Sequence, residues 1–354
     1  MRLIHYEALK PVCPHCKFYG EMKFLKLQTH ETNLTEVHSG VLACESVSCG
    51  RKYPIIFGCP ILVPDIQSWL TTNLHLVIKK NILDESVESL IGESVPSDTF
   101  YNIIRQQQSS YCRDHYADEF SSSDLDNENT KISTIRRCLD MCLQDMPRNQ
   151  MPCIDIGCAV GGTSFEISRN RNVLTLGIDL NWPLLDIPRT IISDGFISYP
   201  HRIIGNRYTR RTATITYPNI DSCDFWIADA GCMPFKSDTF GTAIGLNIID
   251  CMNDPKKLLR EILSITTLDA GVSLSCPFDW TSQATNQNQW IYGDEELDKI
   301  LKETSLKTLD NQDKAFVNLC PPQNFNWNLP LHDRAKMTYL ARLYVMKTSI
   351  SKPA

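Results

Sequence analysis

Met151-Pro-Cys-Ile-Asp155-Ile-Gly157-Cys-Ala-Val-Gly161-Gly162-Thr-Ser-Phe-Glu-Ile167 reads as a strand, a glycine-rich turn and the start of a helix. Ile154 and Ile156 give the strand its apolar residues, and Asp155 stands among them just ahead of the turn. Gly157, Gly161 and Gly162 lack side chains, so the backbone can bend sharply and come close to a ligand. Thr163 followed by Glu166 fits a capping box, which marks where the helix begins. Such a turn holds nucleotide-like cofactors, but it also serves ordinary strand-to-helix connections, so its neighbours decide its meaning.

From residue 131 onward apolar strands alternate with helical patterns, which argues for an α/β fold with a mostly parallel sheet and helices on both faces. Strands are expected near 152–157, 173–179, 224–229, 242–249 and 271–276, and helices near 131–145, 163–170, 255–267 and 294–304. Asp254-Pro255 supplies a cap and a first-turn proline for the third of these helices. Acidic or polar groups recur where the strands end: Asp155 and Gly157, then Asp179, then Asp229-Ala230, then Asn247 and Asp250. In a doubly wound sheet those ends face one crevice, where ligands bind. Asp179 could accept both hydroxyls of a ribose, and Asp229 could bond an adenine amine. Each aspartate could instead cap a helix; their recurrence at successive strand ends favours a site.

This pattern resembles the class I S-adenosylmethionine-dependent methyltransferases over about residues 131 to 347. Asp155-x-Gly157-x-x-x-Gly161 matches their first motif, Asp179 their ribose acid, and Asp229-Ala230-x-x-Met-Pro-Phe their adenine-side motif. The resemblance implies a Rossmann-like sheet and S-adenosyl-L-methionine as cofactor. It also implies cofactor contacts from Asp155, Gly157, Cys158, Gly161, Asp179, Leu180, Asp229, Ala230 and Asn247. A nicotinamide dehydrogenase would share the glycine turn and the ribose acid, but not Asp155 or the segment that follows Asp229.

Near the front, Cys13-Pro-His-Cys16 and Cys44-Glu-Ser-Val-Ser-Cys49 form two short pairs separated by a strand-forming stretch. Two such knuckles brought together make a tetrahedral four-thiolate zinc site; unrelated thiols or a redox dithiol are the other readings. His15 is the rival ligand, and Cys59 reads as packing. With Tyr53-Pro54-Ile55, Gly58, Pro60 and Leu62-Val63-Pro64-Asp65, residues 8 to 66 resemble the small zinc-ribbon family that activates tRNA and translation-factor methyltransferases. The resemblance implies a structural Zn2+ on Cys13, Cys16, Cys44 and Cys49, with no open position for catalysis.

The methyl acceptor is harder to read. Asn247-Ile-Ile-Asp250 stands where base-amine methylases tend to carry Asn-Pro-Pro-aromatic, which disfavours a nucleobase amine. Between residues 186 and 293 the chain resembles the mercaptohistidine methyltransferase of ovothiol biosynthesis. The matching pieces are Asp194-Gly-Phe-Ile-Ser-Tyr199, Gly205-Asn-Arg-Tyr208, Asn247-Ile-Ile-Asp250 with Asp254-Pro255, Cys276-Pro-Phe-Asp-Trp280, Thr285, and Trp290-Ile-Tyr-Gly293. This likeness implies methylation of a nitrogen or sulfur on a small amino-acid-like metabolite, an imidazole or thiol among the candidates. Phe278, Trp280 and Trp290 would wall its pocket, Arg334 would bind a carboxylate, and Asp250 is the candidate for orienting or deprotonating the acceptor. The chain departs from that family in carrying the ribbon, and in Cys251-Met252 where Arg-Leu is more usual. A tRNA, rRNA or protein methyltransferase using the ribbon for recognition is the alternative, and would show a basic surface joining ribbon and crevice. A non-catalytic adaptor that keeps the fold is the third reading, disfavoured by the intact glycine and acid positions.

The expected organisation is therefore a zinc ribbon over 1–66, a helical linker or lid over 67–130 and a methyltransferase domain over 131–350. In the linker, Tyr111, His115 and Tyr116 share one face if helical and could lid the cofactor, while Ser121 to Thr130 reads as an exposed loop. The four arginines from Arg202 to Arg211 read as a solvated loop. With 354 residues, 42% hydrophobic, 21% charged and a net charge of −6, the chain has an ordinary soluble composition without a general pull toward nucleic acid. No run is long and apolar enough for a membrane span, and the start does not read as a secretory signal. Fifteen cysteines, an odd number, several in apolar runs, point to a reducing, cytoplasmic setting.

Overall fold

The computed structural model describes residues 1–78, 85–120, 133–308 and 310–350. The loop expected at Ser121 to Thr130 lies outside these described residues. In chain order the strands are β1 Leu25–Thr32, β2 Val37–Cys44, β3 Lys52–Ile56, β4 Cys59–Leu62, β5 Cys153–Ile156, β6 Thr175–Asp179, β7 Phe196–Ile204, β8 Arg207–Thr214, β9 Cys223–Ala228, β10 Phe240–Gly245, β11 Thr266–Cys276, β12 Ser305–Lys307, β13 Asp313–Asn318, β14 Gln323–His332 and β15 Ala335–Ile350. The helices are α1 Leu3–Leu9, α2 Pro14–Phe18, α3 Ile66–Ile78, α4 Glu85–Ser94, α5 Phe100–His115, α6 Thr134–Asp145, α7 Gly162–Arg171, α8 Trp182–Asp194, α9 Pro255–Ile265 and α10 Asp294–Glu303.

One sheet runs β1-β2-β3-β4-β9-β6-β5-β10-β11-β15-β13-β12, with β14 added outside β15. From β4 to β11 all pairs are parallel, and β15 and β13 close that side antiparallel. All four residues of β5 are buried, as its flanking helices require. The chain leaves β5 toward β6 and later returns to β10 on the other side. The strand order therefore reverses between β5 and β10, and a crevice opens at their carboxyl ends. The five expected strands appear as β5, β6, β9, β10 and β11, within a Rossmann-like α/β fold. Asp254 caps α9 as read, its side chain accepting from Lys257 N at 3.0 Å.

The ribbon is built into this sheet. β1 to β4 form an antiparallel meander, and β4 then pairs parallel with β9, Ile61 beside Ile227 and Leu62 beside Ala228. Leu42, Tyr53, Ile55 and Ile61 belong to the same buried cluster as Phe225, Trp226 and Ile178. Pairing covers the β9 edge, which would otherwise present unpaired main-chain groups. Polar contacts hold the same seam: Arg2 N donates to Asp224 Oδ2 at 2.9 Å, and Lys17 Nζ meets Glu261 Oε2 at 2.8 Å.

Two local expectations are corrected. The Arg202 to Arg211 segment belongs to a hairpin, β7 with β8, turning at Gly205-Asn206, because alternating threonine, tyrosine and arginine pair well across strands. No capping box forms at Thr163. Gly161 takes the cap position at φ 76°, Thr163 Oγ1 bonds Asp155 instead, and Glu166 pairs with Arg169. Within 67–130, α3 packs on α8, and α5 packs on β7 and β14. Among the described residues no helix is long and apolar enough to cross a membrane.

Candidate cofactor and acceptor site

A cavity of about 760 Å³ lies at the carboxyl ends of β5, β6, β9 and β10. Asp155, Gly157, Asp179 and Leu180 line it, as do Asp229, Ala230 and Asn247. Gly157 has φ 71°, which strains any residue with a side chain, and a Cβ there would stand 2.3 Å from Ile248 Cδ1, so that methyl would have to shift. Gly161 and Cys158 sit behind the wall: a Cβ on Gly161 would meet Pro188 at 2.6 Å, and Cys158 is 1% exposed. These two shape the turn from below without presenting side-chain atoms to the cavity.

Each acid at this end is held in place. Asp155 Oδ2 accepts from Thr163 Oγ1 at 2.5 Å and Ser164 Oγ at 2.6 Å, which ties strand β5 to the first turn of α7. Burial pushes its carboxyl up to about 6, against the pull of the two hydroxyls. Asp179 accepts one main-chain N–H on each oxygen, Ala159 at 3.0 Å and Asn181 at 2.8 Å. A carboxylate oxygen has a second lone pair, so both remain able to take a ribose hydroxyl. Asp229 Oδ1 accepts from Gly231 N at 2.8 Å, which leaves Oδ2 for an amine. Asn247, at φ 54°, is pinned by Ser275 Oγ, which accepts from its N–H at 2.8 Å and donates to its Oδ1 at 2.7 Å. These donor and acceptor positions fit an adenosine-bearing cofactor.

Helix α5 closes one side. It brings Tyr111, Asp114 and His115 to the wall, so two of the three aromatics read as a lid do face the cavity. Tyr116 does not; it is buried and donates to Val160 O at 2.5 Å beneath the glycine turn. His115 packs against Gly162, where a Cβ would come within 2.7 Å of its own, and burial pushes its imidazole down to about 3, keeping it neutral.

At the other end stands Asp250, 2% exposed. Its Oδ2 accepts from Asp279 N at 2.8 Å, while its buried Oδ1 has no partner among the described residues. Burial, with the nearby Asp279 charge, pushes this carboxyl up to about 6. Tyr111, Cys251 and Tyr339 are its electrostatic neighbours. Thr285 Oγ1 fixes the segment by donating to Asp250 O at 2.9 Å and Met252 O at 2.8 Å.

The acceptor wall differs from the one expected. Phe278, Trp280 and Trp290 lie outside the cavity lining. The indole N–H groups satisfy carbonyls of their own loop instead, Trp280 to Ile291 O and Trp290 to Thr285 O, both at 3.0 Å. That loop contributes Pro277, Asp279, Gln283 and Ala284. Arg334 is exposed in the turn between β14 and β15, far from a role in the pocket. The β14–β15 hairpin instead delivers Trp327, Leu329 and Tyr339, none of which carried a sequence motif.

Cys13, Cys16, Cys44 and Cys49 converge, their sulfurs all within 4.8 Å of one another. Sγ of Cys13 and Cys49 are 3.9 Å apart, and those of Cys16 and Cys44 are 3.7 Å apart. Four thiolates about 2.3 Å from a tetrahedral centre would be separated by about 3.8 Å, so the set fits zinc. Cys59 packs at β9, its sulfur 3.5 Å from Phe225 O, and His15 stacks edge-on with Tyr19. The knuckle helix α2 also reaches the cavity, where Phe18 lines the rim under Lys257 Nζ, 4.7 Å from the ring centre.

No family model matches the chain, and no curated protein matches it. Among solved structures it is similar to phosphoethanolamine N-methyltransferase 2 of Haemonchus contortus with bound S-adenosyl-L-methionine, at 13% identity over 69% of this chain and 48% of that one, TM-score 0.39. It is also similar to the YcgJ protein of Bacillus subtilis, at 12% over 62% of this chain and 100% of that one, TM-score 0.40. The Haloferax volcanii complex of the Trm112 methyltransferase activator with a methyltransferase gives 13% over 61% and 89%, TM-score 0.36. The chain thus spans less than half of the nematode enzyme. Such distant likenesses carry no functional weight; the strand order defines the class, a Rossmann-like, mostly parallel α/β sheet.

Proposed function

We propose that the protein is an S-adenosylmethionine-dependent methyltransferase acting on a nitrogen or sulfur of a small amino-acid-like metabolite, with a structural zinc in its ribbon. One observation carries this reading: a single cavity continues from the strand-end acids Asp179 and Asp229 to the buried carboxylate Asp250. Its volume of about 760 Å³ falls within the range of roughly 300–1,000 Å³ typical of small-molecule sites.

Asp179 would hold the ribose diol, Asp229 the adenine amine, and the bare backbone at Gly157 would let the cofactor lie against the turn. S-adenosylmethionine, when bound, supplies an electrophilic methyl group. The chain's own share is alignment and exclusion of water. Asp250 orients the acceptor and takes its proton where one must leave.

The test is a labelled-methyl transfer assay with the full chain on small-metabolite, RNA and protein fractions of an extract. Label is expected among the small metabolites. Label found only on RNA or protein would overturn the reading in favour of a macromolecular acceptor.

A further inference from the structure

The acids around the cavity differ in what they are free to do. Asp155 is engaged by two hydroxyls, Asp114 by the main chain at the start of α6, with Thr134 N at 2.9 Å, and Asp254 by Lys257 N at 3.0 Å. Those three hold the fold together. Asp250 is different: it is almost wholly buried, it lines the cavity, and one oxygen has no partner among the described residues. An unpaired buried carboxylate oxygen costs several kcal/mol unless a donor reaches it. Asp279 lies beside it on the same wall, and Tyr111 and Tyr339 line the same cavity.

Positive groups are scarce. Among the described lining residues there is no arginine, Lys257 sits at the Phe18 rim, and His115 is held neutral. A carboxylate or phosphate on the acceptor would find no cationic partner at the Asp250 end, and two carboxylates would repel it. We propose that Asp250, Asp279, Tyr111 and Tyr339 form an acceptor subsite for a protonated amine, and that Asp250 is the base that takes its proton. This rests on the methyltransferase reading and narrows its acceptor from nitrogen or sulfur to a cationic nitrogen.

Chemistry agrees on two counts. An ammonium satisfies the orphaned oxygen, is attracted by two carboxylates and packs well on aromatic faces. A thiol acceptor would have to ionise beside those same carboxylates. The same sign appears at Cys251, which is exposed at its surface yet has its thiol pushed up by the crowding around its sulfur and then by the Asp250 charge. In the transfer step one N–H bond breaks, its proton passing to Asp250. The freed lone pair forms a C–N bond as the donor's C–S bond breaks, and sulfur keeps that electron pair as a neutral thioether.

The test uses the full chain, labelled S-adenosylmethionine, and extract metabolites sorted by charge on ion exchangers. The expected result is label in the cation-retained small molecules at tenfold or more over the anion-retained ones. Asp250→Asn should lower that labelling by at least a hundredfold, with S-adenosylhomocysteine affinity by calorimetry unchanged, which shows the variant folded. Tyr339→Phe should raise KM for the labelled cation more than it lowers kcat. Label in anionic small molecules, or full activity in Asp250→Asn, overturns the amine subsite while leaving a small-molecule methyltransferase standing. Label on macromolecules alone overturns both.

Discussion

Asp179 at the end of β6 accepts a hydrogen bond from the main-chain N–H of Ala159 in the glycine turn, at 3.0 Å. Two strand ends are thereby fixed to each other before any ligand arrives. Asp179→Ala removes this brace and both ribose acceptors. A hydrogen bond to a charged group is worth about 1.5–3 kcal/mol, so losing two predicts cofactor affinity at least about 100-fold weaker. Titration calorimetry with S-adenosylhomocysteine measures this, and metal content should stay as in the parent. Unchanged affinity would refute the ribose assignment.

Gly157→Ala should lower thermal stability and weaken cofactor binding, for two separable reasons. The new Cβ would meet Ile248 Cδ1 at 2.3 Å, and φ 71° is strained for any residue with a side chain. Adding Ile248→Ala removes the clash but not the strain. The double variant should regain thermal stability toward the parent while falling short by roughly 1–2 kcal/mol. Equal stability of single and double variants would show that the clash is relieved elsewhere.

The donor end was legible because its signals are local. Asp155, Gly157 and Asp179 lie at strand ends whose apolar patterns are plain, and chain order places those ends together in a doubly wound sheet. Position alone does not separate the residues facing the cavity from those behind it: Cys158 and Gly161 share the turn with Gly157 yet pack inward. The acceptor end is assembled from α5, the 277–284 loop and the β14–β15 hairpin, segments whose meeting is purely tertiary. Indoles often wall pockets, which is what makes Trp280 and Trp290 candidates in the sequence. Their N–H groups found loop carbonyls instead. The β7–β8 hairpin did carry a readable signal, Gly205-Asn206 between runs rich in threonine and tyrosine, which the arginine count masked.

The ribbon should bind about one zinc per chain, read by elemental analysis of freshly purified protein. Since β4 and β9 share one sheet and the ribbon side chains share the central core, thermal unfolding should be a single transition. Cys16→Ser should lose the metal and lower that one midpoint by several degrees. It should also weaken S-adenosylhomocysteine binding, because α2 carries Phe18 to the cavity rim. Two separate transitions in the parent would contradict the shared core.

Asp250 must be ionised to accept a proton, and its carboxyl is pushed up to about 6 by burial and by Asp279. Acting as base, it predicts a kcat/KM that falls about tenfold per pH unit below that value. Tyr111, Tyr339 and Cys251 beside it are pushed upward and supply no inflection in that range. Asp155 and Asp114 elsewhere on the cavity wall are pushed up to about 6 and about 7, so the assignment rests on the inflection disappearing in Asp250→Asn. Asp279→Asn keeps the main-chain N–H that Asp250 accepts but removes a like charge. Asp250 should then ionise more easily, and the inflection should move to lower pH. A shift upward, or an inflection that survives in Asp250→Asn, would assign the proton transfer to another group.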